Sequence, residues 1–174
     1  MDKVRIRATL SDSKKISFLR YRSEWIDILL RLNNTAKPAV NSLTKTALEK
    51  LFVISSWTRI VLAGQDPVGF LLGLVENADY NSANYRFFGD RYPRFAYIDR
   101  VVIDPEYTRR GLGKNLYQTF ADWARKSNKP ILACEVNLKP RNDISLRFHE
   151  SLGFRPVGTQ KADGKLVHML IKAL

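Results

Sequence analysis

The fold is decided by the stretch Val101–Phe120, which reads VVIDPEYTRRGLGKNLYQTF. An apolar strand ending near Ile103 enters a turn that contains Gly111 and Gly113, and a helix follows. Glycines let the backbone approach an oxyanion, and the first turn of a helix carries unpaired N–H groups with a partial positive charge. This strand-to-helix turn therefore predicts an anion site, and its basic side chains are Arg109, Arg110 and Lys114.

The turn by itself leaves a second interpretation equally open, which is an ordinary strand-to-helix turn with a solvated basic face. Two nucleotide-binding motifs do not fit. A dinucleotide fingerprint needs a third glycine at position 116, which is Leu116, and the glycine spacing also differs from a Walker A loop.

The elements that follow this stretch predict a strand–helix–strand unit, which should place two parallel strands side by side. The predicted elements are a helix from Gly111 to Ser127, a strand over Ile131–Val136, a helix over Asp143–Leu152 closed by Gly153, and a hairpin of Phe154–Gly158 with Leu166–Ile171.

The elements before it predict an antiparallel half. They are a strand over Val4–Leu10, a helix over Phe18–Leu32, a loop over Asn33–Pro38, a helix from Ser42 or Thr44, a hairpin of Arg59–Ala63 with Val68–Val75, a long loop over 77–93 and a strand over Phe95–Ile103. We predict an α/β fold in one domain, residues 1–174. Its mixed, twisted sheet has about six or seven strands, with helices on both faces.

Composition limits the class of protein. The chain has 174 residues, of which 45% are hydrophobic, and a formal charge of +12, which favours anionic partners. Its longest apolar run, Val68–Val75, is too short to span a membrane, and the N-terminus lacks the apolar core of a signal peptide. One cysteine (Cys134) and two histidines argue against a disulfide framework and a metal centre. We therefore expect a cytoplasmic protein that has no membrane partner and no metal.

A second motif comes one strand later, where Asn142, Ser145, His149, Gly153 and Phe154 are spaced N-x-x-S-x-x-x-H-x-x-x-G-F. With both motifs in this order, the chain resembles the GNAT superfamily of N-acetyltransferases. Members carry Q/R-x-x-G-x-G/A before a helix and N-x-x-A/S-x-x-x-Y-x-x-x-G-F on the next. Thr108 replaces the usual Gln or Arg, and His149 replaces the usual Tyr.

The resemblance implies transfer of an acetyl group from acetyl-CoA to a primary amine of a small molecule or peptide. It implies that the backbone of residues 109–114 holds the pyrophosphate. It also implies that the pantetheine arm lies between the strands ending at Ile103 and Val136, hydrogen-bonded to the main chain around Val102 and Ile103. CoA carries about four negative charges, which accounts for part of the excess of basic residues. The cofactor-binding residues it implies are Val101, Val102, Ile103, Arg109, Arg110, Gly111, Leu112, Gly113, Lys114, Asn142, Ser145 and His149.

Acetyl transfer to an amine calls for a base and an acid, because the amine must lose a proton and the thiolate gains from receiving one. Asp99, in an apolar strand, is the candidate base, with Tyr97 predicted on the same face together with Val101 and Ile103. An ion pair of Asp99 with an arginine, such as Arg100 or Arg91, is an equally open interpretation. His149 is the candidate acid, against a packed structural histidine.

The amine acceptor is expected to contact the segments after the first helix and in the 77–93 loop. The predicted residues are Asn33, Asn34, Tyr80, Asn84 and Glu135. Glu135, on the next strand, is also a candidate base like Asp99, but a structural role is the favoured interpretation for it.

Two further classes of function remain open. The first is a non-catalytic CoA-binding or regulatory module on the same fold. The second, less favoured, is a nucleic-acid binder, suggested by the basic residues Lys3, Arg5, Arg7, Lys14, Lys15, Arg20 and Arg22. A homodimer is possible, since many members of this superfamily dimerise.

Overall fold

The computed structural model describes residues 14–174, and the strand predicted over Val4–Leu10 lies outside them. The described strands form one sheet in the order β1-β2-β3-β4-β5-β7-β6. They are β1 (Ile16–Leu19), β2 (Trp57–Ala63), β3 (Asp66–Val75), β4 (Ala96–Ile103), β5 (Ile131–Lys139), β6 (Arg155–Ala162) and β7 (Lys165–Ala173). The α-helices are α1 (Ile26–Thr35), α2 (Lys45–Ile54), α3 (Ala83–Gly89), α4 (Leu112–Lys126) and α5 (Asp143–Ser151).

The sheet is mixed, as predicted. Strands β4 and β5 are parallel and are joined by helix α4, whereas the other neighbouring strands pair antiparallel. The parallel pair is the strand–helix–strand unit that the sequence indicates on either side of the glycine turn.

Helices cover both faces of the sheet, because side chains alternate along each strand. On β2, Val61 and Ala63 pack in the cluster that contains α4, while Ile60 and Leu62 pack against α1 and α2. The prediction of helices on both faces is confirmed.

The first helix begins later and ends later than predicted. Phe18 lies in β1, a short 3-10 turn precedes Ile26, and Asn33 and Asn34 belong to the last turn of α1 instead of a loop. Asn33 is fully buried and hydrogen-bonds to Arg100 of β4. This tertiary contact offsets the low helix propensity of asparagine.

The predicted loop over 77–93 contains helix α3. Its N-cap is Ser82, whose side chain accepts a hydrogen bond from the Tyr85 amide. Tyr85 and Phe88 pack against Phe95 and Tyr97 beneath the helix. Aromatic packing against the sheet thus stabilises a seven-residue helix that is too short to show a clear period in the sequence.

A bulge at Asp99 changes the predicted faces of β4. Leu72 pairs with Arg100 and Gly73 pairs with Ile98, so Asp99 is an extra residue on its strand. Beyond the bulge, Val101 and Ile103 pack on the α4 side, opposite to Tyr97, whereas the sequence pattern placed all three on one face. A bulge inserts one extra residue into the strand. Each side chain after it therefore points to the face opposite to the one that strict alternation predicts.

Candidate active site

Strands β4 and β5 separate, and a cavity opens between them. Their pairing is limited to Ala96 with Leu132 and Tyr97 with Ala133. Beyond these pairs lies a cavity of about 260 Å³. Its lining comes from both faces of the sheet, so the cavity joins them. On the α4–α5 face it is lined by Tyr117, Asn142, Ser145 and His149, and on the other face by Val40, Asn41, Tyr80, Asn84 and Glu135.

The glycine turn has the backbone shape of an anion cradle. Arg109 and Gly111 adopt positive φ angles of 59° and 77°, and Gly111 precedes the first residue of α4. Within residues 14–174, no hydrogen-bond acceptor is recorded for the main-chain N–H groups of 109–114. A Cβ atom on Gly111 would meet nothing within 4 Å, so the turn is open to solvent. Free N–H groups, three basic side chains and a helix N-terminus fit a phosphate group.

Asn142 is the N-cap of α5, and its side chain accepts a hydrogen bond from the Ser145 amide at 3.1 Å. Ser145 lies one turn before His149 on the same helix. Asn142, Ser145 and His149, which are three of the five residues of the second motif, line the cavity.

His149 is buried and held at both ring nitrogens. Nδ1 lies 2.7 Å from the Ser145 carbonyl oxygen, which can only accept, so Nδ1 carries the proton. Nε2 therefore accepts the hydrogen bond from the Tyr117 hydroxyl at 2.7 Å. Burial lowers the pKa of His149, despite the hydrogen bond to Ser145 that raises it. The imidazole is neutral at pH 7, and Tyr117 is the hydroxyl donor of the pair.

Asp99 forms an ion pair with Arg100, which is one of the two interpretations that the sequence analysis gives for this residue. Arg100 Nε lies 2.6 Å from Asp99 Oδ2, and both side chains are at least nine-tenths buried. The Tyr80 hydroxyl donates to Asp99 Oδ1 at 2.5 Å, and Arg100 also donates to Asn33 at 2.8 Å. Both oxygens of Asp99 therefore have partners inside the protein. The geometry favours a structural ion pair at this position over a free base.

Glu135 is the carboxylate that faces the cavity from β5. Its Oε2 accepts from the Tyr97 hydroxyl at 2.7 Å, and its Oε1 accepts from the Asn84 side chain at 3.0 Å. Burial raises the pKa of Glu135 to about 7, and the two hydrogen bonds limit that rise. A carboxylate with a pKa near neutrality can accept a proton from a substrate and release it again.

Asn33 and Asn34 do not line the cavity. Asn33 donates to the Asn41 carbonyl at 3.0 Å, and Asn34 bonds both main-chain groups of Leu43. They hold the loop between α1 and α2, whose residues Ala39–Asn41 form part of the cavity wall. In the structure these two asparagines support the loop, and they do not make the predicted contact with the acceptor site.

The structure brings eight of the predicted site residues together around the cavity. Val101, Asn142, Ser145, His149, Tyr80, Asn84, Asp99 and Glu135 line it, and Tyr97 lies behind Glu135. Sequence reasoning missed Tyr117 and Asn41. Tyr117 lies three and seven positions before the inner-face residues Phe120 and Ala124 of α4, a spacing that could have placed it near the sheet. For Asn41 the sequence carries no such signal, because its place depends on the loop contacts.

Two structural findings concern other classes of site. In the described range of the chain, none of the helices has the length and apolarity required to cross a bilayer. A search of the same residues for three or more His, Cys, Asp and Glu side chains arranged to hold a metal ion found no such group.

Comparisons with known proteins agree with this geometry. The model of the acetyltransferase (GNAT) family matches residues 26–154. N-alpha-acetyltransferase RimI of Mycobacterium tuberculosis is 33% identical over 72 residues, which are 41% of this chain and 42% of that protein. The chain thus matches less than half the length of this curated relative.

Solved structures share the fold. Ard1 from Thermoplasma volcanium has a TM-score of 0.73 at 18% identity, covering 91% of this chain and 97% of its own. Naa50 of Arabidopsis thaliana, solved with the bisubstrate analogue CoA-Ac-MVNAL, has a TM-score of 0.71 at 16% identity, covering 91% and 99%. The chain belongs to the acetyltransferase (GNAT) family, which confirms the resemblance seen in its two motifs.

Proposed function

We propose that this protein is an N-acetyltransferase that moves an acetyl group from acetyl-CoA directly to a primary amine within a ternary complex. The observation that carries the proposal is the cavity between β4 and β5, which joins the two faces of the sheet. Acetyl-CoA can enter from the α4–α5 face and the amine from the opposite face, so that the two reactants meet without a covalent enzyme intermediate.

The cofactor face would hold CoA through its phosphates. The free N–H groups of 109–114 and the side chains of Arg109, Arg110 and Lys114 suit a diphosphate. The main chain of Val101–Ile103 would bind the pantetheine arm, with Asn142 and Ser145 beside it. This assignment rests on the open turn at Gly111 and on the lining of the cavity.

The proton of the amine would pass to Glu135. A primary amine has a pKa near ~10.4, so most of it is protonated at pH 7 and must lose a proton before it attacks. The amine that reacts is the neutral fraction, whose first proton has gone to solvent. Its nitrogen attacks the thioester carbonyl carbon, and the second proton leaves the nitrogen as the C–N bond forms and the C–S bond breaks. Glu135, with a pKa of about 7 and a place on the acceptor face, is better suited to take this proton than the ion-paired Asp99.

The leaving group is the CoA thiolate, which departs when the C–S bond breaks. At this end of the cavity the proton-bearing group is the Tyr117 hydroxyl, held by His149. We assign the stabilisation of the thiolate to the Tyr117 hydroxyl, whose single proton would turn from His149 Nε2 to the sulfur as the C–S bond breaks. Replacing Tyr117 by Phe should lower kcat and leave the affinity for acetyl-CoA within about twofold.

The acceptor would enter past Asn41, Tyr80 and Ala83, which line the cavity on the face opposite to α4. A peptide N-terminus and a small free amine both present the primary amine that the chemistry requires. We propose the cytoplasm, which the sequence analysis predicts, as the compartment for this activity.

Release of free thiol from acetyl-CoA, measured across a panel of amines and N-terminal peptides, tests the function. Wild type should show steady turnover with at least one acceptor, and Glu135→Gln should reduce kcat/KM at least 100-fold at pH 7 while still binding acetyl-CoA. Binding of acetyl-CoA without turnover of any acceptor would instead indicate the non-catalytic module.

A further inference from the structure

A chain of hydrogen bonds runs from the cavity to the edge of the sheet. The Tyr97 hydroxyl donates to one oxygen of Glu135, and Asn84 Nδ2 donates to the other at 3.0 Å. The Asn84 oxygen in turn accepts from the side chain of Gln160 at 3.0 Å. The four residues come from β4, β5, α3 and β6, so the chain connects four separate elements.

Asn84 uses both ends of its amide within the protein. Its oxygen faces Gln160 and its nitrogen faces Glu135, which fixes the orientation of the amide. The amide of asparagine has one accepting and one donating end, so this orientation is the one that satisfies both partners. The side-chain amide of Asn84 is therefore held between the carboxylate of Glu135 and the side chain of Gln160.

We propose that Asn84 is a positioning residue, which fixes the carboxylate of Glu135 in the cavity and ties it to strand β6 through Gln160. The inference rests on the proposed function, in which Glu135 is the base. It replaces the direct contact with the acceptor that the sequence pattern predicts for Asn84. Helix α3, which the sequence pattern did not reveal, places the side-chain amide of Asn84 beside Glu135.

The positioning has an electrostatic consequence. A donor on the charged form of a carboxyl lowers its pKa, while burial and the neighbouring Asp99 raise it. The other titratable or charged groups that interact with Glu135 are Tyr80, Tyr97, Arg100, Tyr117, Cys134 and Lys165. None of these groups is removed by a substitution at Asn84, so a change there isolates one hydrogen bond.

The test is a titration of the Glu135 carboxyl by NMR in protein labelled with carbon-13 at the glutamate side-chain carboxyl. The Glu135 signal is the one missing from Glu135→Gln. Wild type should titrate with a midpoint at about 7. In Asn84→Ala the midpoint should rise by roughly one pH unit, because one hydrogen bond to the charged form is lost. The pH at which kcat/KM falls on the acidic side of its pH profile should rise by the same amount.

Two further variants separate positioning from a merely structural role. Ser82→Ala removes the N-cap of α3 and keeps Asn84, so it should lower stability without moving the midpoint. Gln160→Ala removes only the tie to β6 and should give a smaller rise than Asn84→Ala. If Asn84→Ala leaves the midpoint unchanged, or Ser82→Ala moves it as far, the inference is wrong.

Failure of the inference can be told from failure of the function. If wild type acetylates an amine but Asn84→Ala leaves the Glu135 titration midpoint unchanged, only the role of Asn84 is overturned. A midpoint that moves as expected in a protein that acetylates no amine supports the positioning and overturns the proposed function.

Discussion

Replacing Glu135 by Gln should make the protein more stable at alkaline pH, because it removes a carboxyl group that has to ionise in the protein interior once the pH exceeds its raised pKa. Burial raises the pKa of Glu135 from 4.5 to about 7 in the folded state. The folded state therefore keeps a proton that the unfolded chain releases from about pH 4.5 upward. The stability this proton gives is fully present below pH 4.5 and is lost as pH rises through 7.

The size of the effect follows from the two pKa values. Each pKa unit corresponds to about 1.36 kcal/mol, so wild type loses about 3 kcal/mol relative to Glu135→Gln between pH 4.5 and 8.5. In a protein of this size that difference moves Tm by roughly 6–12 °C. Ionisation of the groups that do not interact with Glu135 contributes equally to both proteins and cancels in the comparison.

The assay is urea unfolding of both proteins at pH 4.5, 5.5, 7 and 8.5, with the free energy of unfolding extrapolated to water. The difference between the proteins should grow in favour of Glu135→Gln as pH rises, with its midpoint below pH 7. A difference that is constant over this range would refute the reasoning, because Glu135 would then ionise equally easily in both states.

Three further substitutions have definite expected outcomes. Gly111→Ala places a side chain at a φ of 77°, so it should cost about 1–2 kcal/mol and weaken acetyl-CoA binding roughly tenfold, measured by urea unfolding and calorimetry. Gly69→Ala brings a Cβ to 2.7 Å from the Val102 carbonyl oxygen and should cost about 1–3 kcal/mol of unfolding free energy. Arg100→Met leaves Asp99 buried without its cation and should cost about 3 kcal/mol or more, checked by thermal and urea unfolding. A stability equal to wild type in any of these would contradict the packing described for that position.

The parts of the fold that sequence could predict are those with long, regular patterns. Helix α4 and strand β4 have extended apolar patterns and turn signals at their ends, and both were predicted close to their observed bounds. The glycine turn between them was predicted as an anion cradle, and its positive φ angles have the shape that the glycines indicate.

The parts that sequence missed depend on contacts between distant residues. The bulge at Asp99 leaves the sequence alternation intact and shows only in the pairing with β3. The proton-accepting environment of Glu135 requires Tyr97 and Asn84, which are 38 and 51 positions away along the chain. Composition and periodicity describe neighbours along the chain, so neither could bring these three side chains together.

The measurement that tests the central claim most directly is calorimetric titration of acetyl-CoA into wild type and Gly113→Trp. Gly113 lies in the first turn of α4, where a Cβ would already be 3.5 Å from the ring of Phe148. A bulky indole there should cover the cradle, so wild type is predicted to bind and a folded Gly113→Trp is not. A wild type that does not bind acetyl-CoA, or a variant that binds it equally well, would contradict the placement of the cofactor at this turn.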